Sequence, residues 1–166
     1  MNQFLPRLII FVLVIGALYW FFPDAERDET GAIVSEGDLE AESLRIGDCF
    51  NNPSLSDLED SETTDVVTVS AIPCALPHDF EIYALSHRLF DQSNYPGEEV
   101  ITLTANEYCV IEFEKFIGIN TQDSILSYVF MFPTKDAWDL GNKSTTCAVD
   151  HSLGKKLEGS SRGKRI

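Results

Sequence analysis

The sequence predicts an α+β fold: a mostly antiparallel sheet with one long helix and one short helix, stapled by two disulfides, behind an N-terminal transmembrane helix. Three observations lead there. Residues 66–72 (VVTVSAI), 80–90 (FEIYALSHRLF) and 125–132 (ILSYVFMF) are rich in β-branched and aromatic residues or alternate in polarity, as strands do. Between the last two lies a helical apolar period, with Ile101, Ala105, Cys109, Phe113, Phe116 and Ile117 on one face. Four cysteines, Cys49, Cys74, Cys109 and Cys147, are spread over these elements, and none is paired as C-x-x-C.

The first element is apolar. Residues 8–22, LIIFVLVIGALYWFF, carry no charge, and the stretch from Phe4 to Phe22 covers 19 residues. A spanning helix needs about 20, and Arg7 can snorkel to the interface. A cleaved signal peptide would need small residues at its end, where this run has Tyr19, Trp20, Phe21, Phe22 and Pro23. Those bulky residues suit the aromatic belt of an uncleaved anchor. The expectation is therefore a short cytoplasmic start (1–7), an anchor (4–22) and a domain on the extracytoplasmic side of the cell membrane. The flank that follows, with Asp24, Glu26, Asp28 and Glu29 against Arg27, holds nothing to keep it inside.

Residues 24–43 carry eight acids, one arginine and two glycines, which reads as a disordered or weakly ordered acidic linker. The folded domain is expected over 44–150. Leu44, Ile46 and Phe50 suggest a short strand, and residues 51–64 a polar acidic loop. The strand at 66–72 follows. In the next strand the alternation sets Phe80, Ile82 and Ala84 against Glu81, Tyr83 and Leu85, which turns Glu81 toward solvent. Pro96, Glu98 and Glu99 suit the start of the long helix, and Gly118 its end. After the strand at 125–132, Thr134 caps a short helix that holds Asp136 and Trp138 and stops at Gly141. STTCAVD (144–150) closes the sheet. Residues 151–166, basic and rich in glycine and serine, read as a flexible tail.

Charge excludes one class of partner. Residues 24–154 carry 26 acidic and 6 basic side chains, a net of −20, which repels phosphate backbones and anionic lipid. No nucleic acid is expected.

The segment IPCALPHDFEIYA (72–84) concentrates the residue types that carry chemistry. Zinc wants three or four converging ligands, and Cys74, His78 and Glu81 are candidates. A disulfide would consume Cys74, however, and the strand pattern points Glu81 outward. His87 and His151 have no ligand pattern beside them. A cysteine nucleophile needs a depressed thiol pKa, which an oxidising compartment and an acidic field oppose. No G-x-S-x-G elbow is present, and the five acids from Asp57 to Asp65 lack the glycine and terminal glutamate of a calcium loop. The segment is thus expected to be a turn stiffened by Pro77, in which Asp79 accepts a backbone N–H. No catalytic, cofactor-binding or metal-binding residue is expected.

LRIGDCF (44–50), the run from Val67 to Ala84, YPGEE (95–99), Cys109 with FEKFIG after it, YVFMFPTKDAWDLGNKSTTCAV (128–149) and the closing glycines and serines to about residue 163 together resemble the bacterial septum formation domain family. The resemblance implies a membrane-tethered extracytoplasmic domain linked to cell division, without catalytic residues to carry over. An even cysteine number outside the membrane reads as two disulfides with three possible connectivities. Element order favours Cys49 with Cys74, on neighbouring strands, and Cys109 with Cys147.

The function expected is that of a non-catalytic single-pass protein with an outward-facing interaction domain, acting in cell division or envelope assembly with protein partners of the envelope. The alternatives are an accessory subunit of a respiratory or transport complex and, less well supported, a metal-dependent hydrolase using His78. No small-molecule substrate is identified.

Overall fold

A computed structural model describes residues 24–51 and 68–166. The expected anchor (4–22), most of the acidic loop and Val66–Val67 lie outside these residues. Among the described residues no helix is long and apolar enough to cross a membrane.

The strands are β1 (Gly37–Glu40), β2 (Cys49–Asn51), β3 (Thr68–Ile72), β4 (Phe80–Ser86), β5 (Leu126–Met131) and β6 (Thr145–His151). Helix α1 (Glu98–Ile117) lies between β4 and β5, and α2 (Lys135–Asp139) between β5 and β6. The described strands form one antiparallel sheet in the order β1-β3-β2-β4-β6-β5.

Helix α1 follows its sequence pattern. Ile101, Ala105, Cys109, Phe113, Phe116 and Ile117 are its buried residues. Gly118, at φ 90°, ends it in a left-handed cap that a side-chain-bearing residue would adopt under strain. The helix packs on the β4–β6–β5 half of the sheet, where Tyr83, Ala84, Leu126, Cys147 and Val149 complete the core. Tyr83 meets Phe113 edge-on and donates its hydroxyl to the Cys109 carbonyl at 2.8 Å. The opposite face is covered by Leu44 and Phe50 over Ile82, Val69 and Ala148. Helix α2 is capped by Thr134, whose side chain accepts from the Ala137 N–H, and it inserts Trp138 between Phe90 and Tyr95.

The disulfides join Cys49 to Cys74 and Cys109 to Cys147, with Cα separations of 5.2 and 5.7 Å, the pairing that element order favours.

Three expectations need correction. The acidic linker is pinned to the domain over its described residues: Gly37–Glu40 pairs with β3 as an edge strand, and Arg27 holds the buried Asp48 carboxylate through two bonds of 2.7 Å. Composition hid this because one arginine, aimed at one aspartate, outweighs the surrounding acids. Residues 151–166 are not a free tail but a strap laid across the domain, with Leu157 and Ser161 buried. Its Gly154, Gly159 and Gly163, all at positive φ, turn the chain at fixed points where their number suggested a loose linker. Finally, Glu81 is buried at 1 % exposure. Strand β4 is covered on both faces, and a bulge between Ile82 and Ala84 turns both Tyr83 and Ala84 toward α1, so simple alternation misplaces its side chains.

Two measurements check this core. Replacing Cys109 and Cys147 together by serine opens a 38-residue separation and should lower the unfolding free energy by roughly 3–4 kcal/mol in denaturant titration. Burial holds the Tyr83 hydroxyl well above the ordinary tyrosine range, so the folded state keeps a proton that the unfolded chain releases. Its stabilising contribution is complete below about pH 10 and declines above it. Tyr83→Phe should flatten that alkaline decline in urea midpoints, at a cost of about 1 kcal/mol near neutrality for the lost bond to Cys109.

Candidate functional site

The chemistry-bearing residues of segment 72–84 do converge, at the seam between β2, β4 and the strap. In the antiparallel register Cys49 lies opposite Glu81, so both side chains leave the same face of the sheet. Val149, on the other side of Glu81, belongs to the core under α1. The disulfide brings Cys74 to Cys49 and draws in the turn that carries His78. Ligand-capable atoms of Cys49, His78 and Glu81 all lie within 4.8 Å of one another, and all three residues are buried.

The strap closes this cluster from outside. His78 and Leu157 exchange both backbone bonds, at 3.0 and 2.7 Å, and the Gly159 N–H donates to the Cys74 carbonyl at 2.8 Å. Ser160 donates its hydroxyl to Glu81 Oε1 at 2.5 Å, and the Ser161 N–H donates to Oε2 at 2.6 Å. A buried carboxylate needs such donors, because an uncompensated charge there is very costly. At the rim, Lys156 pairs with Asp79 at 2.7 Å and also reaches the Asn51 side chain at 2.8 Å. Among the described residues Asp79, expected to accept a backbone N–H, meets a lysine of the strap.

The strap then runs to the end of α1. There the Gly163 and Arg165 N–H groups donate to the Phe116 and Ile117 carbonyls at 2.7 and 3.0 Å. These are last-turn carbonyls, which the helix itself leaves without partners. Arg162 lies 4.5 Å over the Phe116 ring, and its charge suits the negative end of the helix dipole.

His78 is fully buried, with Nδ1 against the Leu76 carbonyl at 2.8 Å. A carbonyl can only accept, so Nδ1 carries a hydrogen and donates. Nε2 has no partner among the described residues, and neither does the buried Ser161 hydroxyl. The other histidines stand apart from this seam. The exposed His87 bonds Ser144, and His151 ends β6. Of the three zinc candidates in the sequence, the structure brings His78 and Glu81 together with Cys49, to which Cys74 is bonded. Cys49 was expected as the disulfide partner of Cys74 and not as a neighbour of Glu81, and the serines of the strap escaped sequence reasoning, since 79 and 80 residues separate Glu81 from its donors.

The fold and this seam define a small disulfide-stapled α+β domain whose polar centre ties its last segment to its sheet. The chain belongs to the septum formation family, whose profile matches residues 47–164. The match includes the strap. No curated protein and no solved structure matches the chain.

If the strap seals the seam, removing residues 155–166 should leave Glu81 and His78 without their cover. The expected outcome is a loss of several kcal/mol, or loss of folding, seen as a lower melting temperature and rapid amide exchange at Glu81 and Ile82. The milder Glu81→Ala strands the buried Ser161 N–H and should cost roughly 1–3 kcal/mol.

Proposed function

We propose that the protein is a non-catalytic, membrane-anchored component of the cell envelope whose outward-facing domain binds other proteins during septum formation. The observation that carries this reading is the family match over most of the folded part, from Gly47 to Lys164. The apolar stretch from Phe4 to Phe22 supports an anchor, and two disulfides suit the oxidising side of the membrane.

Three features of the seam favour binding over catalysis. Both sulfurs nearest His78 are spent in a disulfide, each Glu81 oxygen already accepts a hydrogen bond, and the imidazole is closed off by the strap. General acid–base work needs a group that reaches substrate. Partner recognition falls instead to the surface, where Val100, Leu103 and Ile111 stand exposed along the outer side of α1.

The test is co-purification of the full chain from its native membrane in mild detergent, paired with imaging of a fluorescent fusion. Division or wall-synthesis proteins in the eluate and fluorescence at the septum are expected. Recovery of oxidase or transporter subunits, with uniform envelope fluorescence, would transfer the protein to the accessory-subunit reading.

A further inference from the structure

The cluster of Cys49, His78 and Glu81 holds more ligand chemistry than a structural seam requires. We propose that reductive opening of the Cys49–Cys74 disulfide converts it into a binding site for a thiophilic divalent cation of the zinc class, ligated by Cys49, Cys74, His78 Nε2 and Glu81.

Four observations support this. The candidate atoms of Cys49, His78 and Glu81 already lie within 4.8 Å of one another, and the Cys74 sulfur is bonded to that of Cys49. A divalent ion bound tetrahedrally by thiolates at about 2.3 Å sets its two sulfurs roughly 3.8 Å apart. Side-chain rotation can reach that spacing from Cα atoms 5.2 Å apart.

The histidine is arranged as a ligand. Metal-binding imidazoles usually donate their second ring N–H to a carbonyl or carboxylate, which fixes the tautomer and the ring plane. Here Nδ1 donates to the Leu76 carbonyl and leaves Nε2 bare, fully buried and without a partner among the described residues. A buried polar nitrogen left unpaired costs free energy, which a bound cation would recover.

The carboxylate is oriented in the same manner. Ser160 and Ser161 take one lone pair on each Glu81 oxygen and leave the others free. Two thiolates, one carboxylate and a neutral imidazole form a sulfur, nitrogen and oxygen set that suits zinc and disfavours calcium or magnesium.

The two disulfides also differ in access. Cys109 and Cys147 are fully buried, whereas Cys74 is partly exposed on a turn whose next three residues, Ala75, Leu76 and Pro77, face solvent. A dithiol reductant therefore meets Cys74 first. Its thiolate attacks the Cys74 sulfur and releases the Cys49 thiolate, giving a mixed disulfide. The second donor thiol then displaces Cys74, so the donor leaves oxidised and the disulfide has gained two electrons and two protons. Cation binding returns those two protons to solvent as both thiols become thiolates. The disulfide form lacks both thiolates, so the site answers to redox state.

The experiment uses the full chain in mild detergent. A phosphine reductant is titrated without oxygen until differential alkylation shows Cys49 and Cys74 free and Cys109–Cys147 intact. After desalting, zinc is added and excess removed. Elemental analysis is expected to find about one zinc per reduced chain and none above background in the oxidised chain. X-ray absorption of the loaded protein should count two sulfur neighbours with nitrogen and oxygen, and it needs no variant. His78→Ala and Glu81→Gln should each weaken zinc binding by at least about tenfold in competition with a chromophoric chelator. A reduced chain that stays folded without taking zinc overturns the proposal, as does one that loses its near-ultraviolet circular dichroism on reduction. Undiminished binding in His78→Ala also overturns it, since the thiols alone would then hold the ion.

Discussion

The hydrogen bonds from Ser160 and Ser161 to Glu81 are the constraint on which the rest of the domain depends. Strand β4 lies near the middle of the sheet and cannot expose Glu81 while α1 and the second face are in place. A carboxylate in that position has to be supplied with donors from elsewhere in the chain. They come from the strap, some 80 residues further along the chain, so the polar seam is complete only when residues 155–165 are in place. Those residues also satisfy the Phe116 and Ile117 carbonyls. One strap thus closes both the polar seam and the C-terminal end of α1.

The two disulfides divide the remaining work. Cys109–Cys147 ties α1 to β6 inside the apolar core and restricts the longer loop. Cys49–Cys74 lies at the seam, where apolar burial gives way to polar contacts, and fixes the turn that presents His78 to the strap. In a domain of this size the apolar core alone leaves a small margin over chain entropy, and two such bridges form a large share of it. Asp48, next to Cys49, meanwhile receives Arg27 and so anchors the N-terminal approach to the same corner.

Local patterns were readable wherever one period governed one face. The stripe of α1, its stop at Gly118, the cap at Thr134, the inward Trp138 and the strands at 68–72 and 126–131 all follow from neighbours within a turn or two. The pairing of the cysteines followed from the order of those elements. What escaped was non-local. Glu81 looked exposed because alternation assumes one buried face, while its donors sit some 80 residues away. The strap looked flexible because glycine, serine and lysine are equally the composition of a linker and of a segment that satisfies a helix end through its own backbone. What separates them in the structure is that Gly154, Gly159 and Gly163, all at positive φ, each donate a backbone N–H to a fixed carbonyl, of His151, Cys74 and Phe116.

The basic character of the strap has an electrostatic reason as well. Residues 24–154 carry a net charge of −20, and a chain of the same sign would be repelled from their surface. Residues 155–166 carry five basic side chains and one acidic one, so the field of the domain draws them in. Local contacts then assign the charges. Lys156 goes to Asp79, and Arg162 goes to the Phe116 ring at the negative end of α1. Such exposed pairs are worth little individually and weaken in salt. The binding energy of the strap therefore rests on Leu157, the backbone bonds and the Glu81 seam, and the charges act mainly to steer it there. A strap held this way should stay in place at high ionic strength but fail if Glu81 loses its donors.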